Sequence, residues 1–191
     1  MLSWWKKYEN TLVGDIANIV VGFLIAVIVY NGLILLLGTQ TPLVSVFSGS
    51  MEHDYFDTQT GYHTGPLFLG VSLDNYWVSY GKWYEENGIQ KDDFNEWVAT
   101  DGFKKGDMLL VVGAETLDIG DIIVFDSGRF NYPIIHRIVE VTDVGYKTKG
   151  DHNSQEDPWV IQKEKIYGKA AFVIPMAGWV KVIFSDIVGL V

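Results

Sequence analysis

Residues 105–126 read KGDMLLVVGAETLDIGDIIVFD, and this stretch decides the fold of the larger part of the chain. It contains two copies of one pattern, a Gly-Asp pair followed by a short uninterrupted apolar run. The runs are MLLVV at 108–112 and IIVF at 122–125. A turn followed by a continuous apolar run is typical of a strand buried in a β core. We therefore predict two buried core strands here.

Similar segments lie on both sides of this stretch. Further strands are predicted at 41–47, 133–142, 146–149 and 166–174. Short strands joined by Gly-rich turns, with little helix between them, indicate an antiparallel β domain. The predicted fold is therefore mainly β, with a barrel-like or sandwich-like domain at 39–175.

A long apolar segment precedes this domain. Residues 16–37, IANIVVGFLIAVIVYNGLILLL, contain no charged side chain. These 22 residues suffice as a helix to cross a bilayer core of about 30 Å, and the run is too long for a cleaved signal peptide. Lys6 and Lys7 precede the segment, and the next Lys or Arg is Lys82. The positive-inside rule then predicts a cytoplasmic N-terminus, a transmembrane anchor within 1–38 and an extracytoplasmic remainder.

Composition excludes several classes of function. The 191 residues include 14 Lys plus Arg against 24 Asp plus Glu, for a net charge of -10. Such an acidic chain is a poor ligand for nucleic acid. The chain has no cysteine, which excludes thiol catalysis, disulfides and cysteine-based zinc sites.

Residues 54–103 break the strand pattern and are predicted to be an insertion. They carry twelve of the 27 aromatic residues of the chain. Within them, 72–86 is predicted to be a helix, because aromatic and apolar residues recur at helical spacing between a serine N-cap and the stop Asn87-Gly88. Two interpretations stay open: a self-packed subdomain, or a lid or membrane-facing platform.

The candidate chemistry starts at Ser48-Gly49-Ser50-Met51. Two serines separated by one glycine can divide two tasks, since one hydroxyl can attack while the other turns toward an oxyanion. A serine nucleophile also needs a base. The four histidines are His53, His63, His136 and His152. Of these, His136 lies inside an apolar strand, where a polar side chain needs a partner. Asp151 and Asp157 follow on a loop.

Four segments in this order resemble the conserved boxes of type I signal peptidases. They are SGSME at 48–52, KGDMLLV at 105–111, IHRIV at 135–139, and KGDHN at 149–153 with Asp157 after it. The resemblance covers about residues 12–53 and 103–175. Bacterial members carry a lysine at the position of His136, so the histidine resembles the archaeal and endoplasmic-reticulum branch, which uses Ser, His and Asp.

The resemblance implies a mechanism. Ser50 is expected to attack the scissile carbonyl, and His136 to act as general base. Asp157 is expected to orient His136, while Asp151 supports it or organises the loop. The Ser50 N–H and the Ser48 hydroxyl are expected to hold the oxyanion.

The resemblance also implies a substrate and a location. The substrates are signal peptides of exported preproteins, cut after small residues, with membrane lipid and the secretion translocon as further partners and no cofactor. Ser50 follows the apolar segment by about 13 residues, and even a fully extended link reaches only about 45 Å. The nucleophile is therefore expected near the outer membrane surface, in an archaeal plasma membrane in preference to the endoplasmic reticulum.

Two residues depart from the family pattern. His53 stands where proline is usual, and His152 replaces the first asparagine of the acidic box. His53 is therefore an alternative base. Two other functions also stay open: a catalytically silent binding module on the same fold, and a metal-dependent protein. The histidine spacing fits no helix-borne ligand motif.

The C-terminal residues 176–191 are strongly apolar but contain Lys181 and Asp186. Sixteen residues are short for a spanning helix. As a helix, they place apolar side chains along one side, from Met176 to Leu190. We predict a segment lying on the outer leaflet; a second span and a core-packing helix are the alternatives.

Overall fold

The structure is a computed structural model that describes residues 11–57, 62–64 and 71–188. The chain divides between Gly38 and Thr39 into two compact units, each described here by itself. Lys6 and Lys7, on which the orientation prediction depends, lie outside the described residues.

In its described residues, 11–38, the first unit is one helix, α1, Leu12–Leu37. Thr11 caps its start by accepting a hydrogen bond from the Gly14 N–H at 3.2 Å. Gly38 ends it in the left-handed conformation, with φ +65°. Asn31 is accommodated because its side chain donates to the Val27 carbonyl at 2.8 Å. Among the described residues, α1 is the one helix long and apolar enough to cross a membrane.

The second unit is built on a seven-stranded antiparallel sheet, which confirms the prediction of a mainly β fold. In spatial order its strands are β1 (Leu43–Ser45), β4 (Met108–Val112), β9 (Ile166–Ile174), β5 (Ile122–Phe125), β6 (Ile134–Thr142), β7 (Gly145–Lys149) and β8 (Val160–Ile161). In the described part of the chain, β1 and β8 are the two edges and do not pair with each other. The sheet is therefore open rather than closed into a barrel.

The two Gly-Asp turns explain where β4 and β5 begin. Gly106 and Gly120 have φ of +94° and +98°, a region that favours glycine. The aspartate after each glycine closes its turn, because Asp107 accepts from the Lys104 N–H at 2.9 Å and Asp121 from the Asp118 N–H at 3.0 Å. The chain leaves each turn in an extended conformation.

β5 lies at the centre of the core, with its side chains buried on both faces. Ile122 and Val124 pack with Leu109 and Val111 of β4, while Ile123 and Phe125 pack in a second cluster with Ile138 of β6. A strand that is covered on both faces needs an uninterrupted apolar sequence, which the segment 122–125 provides.

The described part of the insertion contains two helices and a hairpin. The helices are α2 (Leu73–Glu86) and α3 (Lys91–Glu96), and the hairpin pairs β2 (Tyr55–Asp57) with β3 (Tyr62–Thr64). α2 confirms the predicted helix and has Ser72 at its N-cap position. Its buried residues form a third cluster that includes Val139 of β6. The insertion therefore packs against the sheet and shares a core with it.

The described C-terminus ends in helix α4, Trp179–Val188. Val182 and Ser185 are buried, whereas most of its apolar side chains are exposed; these are Trp179, Val180, Ile183, Phe184, Ile187 and Val188. Leu190, part of the predicted apolar side, lies outside the described residues.

Candidate active site

The turn Ser48–Ser50 follows β1 and is anchored on both sides. Before it, the Gly106 N–H donates to the Val46 carbonyl at 2.9 Å. After it, the Met51 side chain is buried in the core and is only 1% exposed. Between these anchors Ser48 is exposed and Ser50 is half-buried. Their hydroxyl oxygens lie 3.3 Å apart.

A second turn, residues 150–152, holds the serine turn from the other side. The His152 N–H donates to the Ser50 carbonyl at 2.9 Å. A Cβ on Gly150 would lie only 2.7 Å from the same carbonyl oxygen. Glycine at 150 therefore permits the close approach of the two turns.

His136 and Asp157 form a buried pair. His136 lies on β6, and its Nδ1 is 2.6 Å from Asp157 Oδ2. Thr148 of β7 donates its hydroxyl to the same carboxylate oxygen at 2.6 Å and accepts the Asp157 N–H at 2.7 Å through its carbonyl. Asp157 is thus fixed to β7 through both its side chain and its backbone. With Nδ1 donating to Asp157, Nε2 of His136 is the ring atom left to accept a proton.

The serine turn and His136 are linked through the sheet. β6 pairs with β7, with Arg137 opposite Lys149, and the 150–152 turn follows β7 directly. The described contacts include no direct hydrogen bond between Ser50 and His136. Catalytic hydrogen bonds are often long without substrate and tighten when it binds.

Asp151 binds a different set of partners. Arg137 donates two hydrogen bonds to its carboxylate, from Nε to Oδ1 at 3.0 Å and from Nη2 to Oδ2 at 2.7 Å. His53 Nε2 lies 3.0 Å from Oδ2. Burial alone would raise the pKa of Asp151, but the Arg137 charge and the hydrogen bonds from His53 and Arg137 outweigh it and hold that pKa well below its usual range. Asp151 is therefore a carboxylate at any physiological pH.

Two tyrosines of α2 complete the surroundings of Asp151. The Tyr84 hydroxyl donates to Oδ1 at 3.1 Å, and the Tyr76 hydroxyl donates to the Asp151 carbonyl at 2.8 Å. Lys149 reaches the Tyr84 hydroxyl and the Gly150 and Asp151 carbonyls at 3.1–3.2 Å. Burial lowers the pKa of Lys149 to about 8, although the charge of Asp151 opposes this.

The two His–Asp pairs differ in accessibility. The His53 side chain is 0% exposed, and its ring stacks on Tyr76 with centroids 3.7 Å apart. The His136 side chain retains 8% exposure. A base has to reach the reacting hydroxyl, so this geometry favours His136 over His53.

The other two histidines are placed differently. His152 is partly exposed, and its Nδ1 lies 3.3 Å from Asp54, which also accepts a hydrogen bond from the Tyr80 hydroxyl at 2.9 Å. His63 lies in β3, and its side chain is outside the described part of the chain.

Sequence reasoning assigned no role to several residues that the structure brings into the site, namely Tyr76, Tyr84, Arg137, Thr148 and Lys149. The tyrosines had a signal, since Tyr76, Tyr80 and Tyr84 recur every four residues and so share one face of α2. Thr148 had none, because one polar residue in a short strand is ordinary.

The chain is similar to catalytic subunits of signal peptidase complexes. It is 25% identical to the human and mouse "Signal peptidase complex catalytic subunit SEC11C", over 95% of this chain and 77% of each relative. It is 31% identical to "Signal peptidase complex catalytic subunit SEC11" of Pyricularia oryzae, over 44% of this chain and 57% of that relative. No family model matches the chain. The relatives confirm the resemblance that the four boxes indicated.

Proposed function

We propose that this chain is a membrane-bound serine endopeptidase that removes signal peptides from exported preproteins. The names of its relatives support this substrate class. The observation that carries the proposal is the 2.6 Å contact between His136 and Asp157. His136 lies on β6, which pairs with β7, and the turn that follows β7 is hydrogen-bonded to the Ser48–Ser50 turn. A serine turn and an oriented histidine are the parts that acyl transfer to serine requires.

The proposed reaction has two stages. Ser50 Oγ attacks the scissile carbonyl while His136 Nε2 takes the hydroxyl proton, and the same proton then passes to the leaving amine. The acyl group stays on Ser50 as an ester. Water, deprotonated by His136, then hydrolyses the ester and regenerates the Ser50 hydroxyl. A positioned general base contributes about 10²–10⁴ in rate.

Asp157 is proposed to orient His136 and stabilise its charged form. Thr148 supports this role because its hydroxyl occupies the same oxygen and fixes the carboxylate. Asp151 is proposed to organise the loop, since its two carboxylate oxygens are engaged by Arg137, His53 and Tyr84 rather than by His136.

The oxyanion is proposed to be held by the Ser50 N–H and the Ser48 hydroxyl. The 3.3 Å separation of the two hydroxyl oxygens supports a Ser48 side chain close to the reacting centre. One such donor is worth about 10²–10³ in rate. Loss of Ser48 should therefore weaken cleavage without abolishing it.

The proposed division of the chain follows from these roles. Residues 1–38 hold the anchor with a cytoplasmic N-terminus, 39–175 form the extracytoplasmic catalytic domain with the insertion 54–103, and 176–191 lie at the membrane surface. In this arrangement the protein stays in contact with lipid, and the translocon supplies the substrate. An archaeal plasma membrane is the proposed location.

A cleavage assay tests the proposal. The full-length protein in detergent is mixed with a preprotein that carries a signal peptide, and cleavage is followed together with Ser50 labelling by a serine-directed acylating probe. Cleavage and labelling that are both lost in Ser50→Ala support the proposal. A chain that binds the preprotein but neither cleaves it nor takes up the probe is instead a silent binding module.

A further inference from the structure

We propose that helix α2 of the insertion is a positioning element of the active site, acting through the hydroxyls of Tyr76 and Tyr84 on the 150–152 turn that supports Ser50. This inference rests on the proposed function. It gives the insertion a role in catalysis, through residues that lie outside the four boxes.

The contacts of the two tyrosines converge on one residue. Tyr76 donates to the Asp151 carbonyl at 2.8 Å, and Tyr84 donates to its carboxylate at 3.1 Å. Both tyrosines are completely buried. Burial, followed by the charge of Asp151, raises the pKa of both hydroxyls well above the usual value for tyrosine, so each keeps its proton and remains a donor.

The 150–152 turn passes this restraint to the serine turn. The Asp151 N–H contacts the Met51 sulfur at 3.4 Å, and the His152 N–H donates to the Ser50 carbonyl at 2.9 Å. Two consecutive backbone groups therefore touch the two consecutive residues Ser50 and Met51. A shift of the turn would shift the nucleophile relative to His136, which is held by Asp157, a residue hydrogen-bonded to Thr148 of β7.

His53 closes the arrangement from the serine side. It follows Ser50 by three residues, stacks on the Tyr76 ring with an interplanar angle of 6°, and places Nε2 3.0 Å from Asp151. α2 thus touches both the turn after β7 and the segment after the nucleophile. A helix that served only to fill a core would need the tyrosine rings but not their hydroxyls.

That distinction defines the experiment. The double variant Tyr76→Phe/Tyr84→Phe keeps both rings, the stacking on His53 and the third cluster, and removes only the two hydroxyls. Tyr167→Phe is the matched control, because it removes one hydroxyl from a side chain on β9 that is 42% exposed. Both variants are made in the full-length protein in detergent, with active sites counted by titration with the acylating probe.

Two measurements are made on each protein. The first is kcat and KM per titrated site; we expect kcat of the double variant to fall about tenfold with KM nearly unchanged, since small displacements of a catalytic group are costly. The second is hydrogen exchange at the His152 amide, which we expect to be faster in the double variant while the Leu109 amide of β4 is unchanged. Tyr167→Phe should match wild type in both.

Two results overturn the proposal. One is a double variant with wild-type kcat per titrated site, even if fewer sites are titrated, because fewer active molecules with normal turnover means a purely structural role. The other is unchanged exchange at the His152 amide. A wild-type chain that cleaves no preprotein contradicts the proposed function instead, and the exchange measurement then decides alone whether α2 holds the turn.

Discussion

At the scale of single residues, the domain contains two buried His–Asp pairs, His136–Asp157 and His53–Asp151, and they differ in their surroundings. His136 and Asp157 keep a little solvent exposure, and His136 and Thr148 contact the same carboxylate oxygen of Asp157. His53 and Asp151 are fully covered, and Asp151 is bound to Arg137. The first pair is suited to proton transfer and the second to holding structure, so the two aspartates should respond differently to the same substitution.

Asp157→Asn should lower kcat by about 10²–10⁴, because the amide no longer fixes the imidazole tautomer or stabilises its charge. Stability should change little, since the amide keeps most of the shape and the oxygen that accepts from Thr148. Cleavage kinetics and thermal unfolding of the full-length protein measure the two effects. A kcat within threefold of wild type would contradict the proposed role of Asp157.

Asp151→Asn should instead destabilise the fold by about 3–5 kcal/mol, because it leaves the buried Arg137 guanidinium without a counter-charge. Chemical denaturation followed by near-ultraviolet circular dichroism measures the free energy of unfolding. Glu156→Gln, on the same loop and partly exposed, is the control and should cost less than about 1 kcal/mol. Equal stability of Asp151→Asn and the control would refute the structural role.

Lys149 should make stability depend on pH in the alkaline range. Its pKa is about 8 in the folded protein and near 10.5 in the unfolded chain, so between these values the unfolded state binds more protons and stability rises with pH. The rise from pH 8 to pH 10 should be about 1–2 kcal/mol. The tyrosines Tyr76 and Tyr84 oppose it only near and above pH 10, where unfolded tyrosine ionises.

Denaturation at several pH values measures this rise. Lys149→Met should abolish it. Lys147→Met, on the same strand β7, should retain the rise. Lys147 is paired with Glu140 and Glu156, which raises its pKa and moves its own window above pH 10.5. A Lys149→Met variant with the wild-type pH profile would contradict the assignment.

At the scale of elements, the strands with the strongest local signals were the most predictable from sequence. β4 and β5 begin at Gly-Asp turns that need a positive φ, and both carry continuous apolar runs. α2 was predictable from its helical spacing and its stop. β8 was missed because two paired residues carry no periodicity, and α3 because six residues give less than two turns.

The site was less predictable than the strands, for a physical reason. Motif boxes identify residues by local sequence, whereas the partners of Asp151 come from three separate segments. These partners are Arg137, His53 and Tyr84. These segments meet only in the folded domain, where Arg137 of β6, Tyr84 of α2 and His53 each contact Asp151. Side-chain hydrogen bonds across 67 or 98 residues leave no local pattern, so neither the Asp151 network nor the proposed role of the insertion could be read from the sequence.

The exposed apolar side chains of helix α4 give a testable prediction about contact with lipid. Ile183→Ser/Ile187→Ser removes two exposed apolar side chains without disturbing the buried Val182 and Ser185. If α4 rests on lipid, KM for a membrane-embedded preprotein should rise several-fold in liposomes, while KM for a short soluble peptide should not change. Val144→Ser, at an exposed turn of the sheet, is the control. An equal change for both substrates would rule out a membrane role for α4.

At the scale of the whole molecule, the proposed function joins an apolar helix to a β domain that carries a serine and a buried His–Asp pair. Under this proposal the two parts have separate tasks, since α1 keeps the chain at the membrane while the sheet orients the reacting groups. A signal peptide presents its cleavage site close to the bilayer. The proposed nucleophile follows α1 by about a dozen residues, so the proposal expects it to work at the level where that site emerges.

Preprotein cleavage by the full-length chain, with Ser50→Ala and His136→Ala compared at equal folded concentration, tests the central claim most directly. We predict cleavage by wild type after a small residue at the end of the signal peptide, and no cleavage above background by either variant. Circular dichroism should show that both variants are folded. Turnover near the wild-type rate by either folded variant would contradict the claim that Ser50 and His136 carry out the reaction.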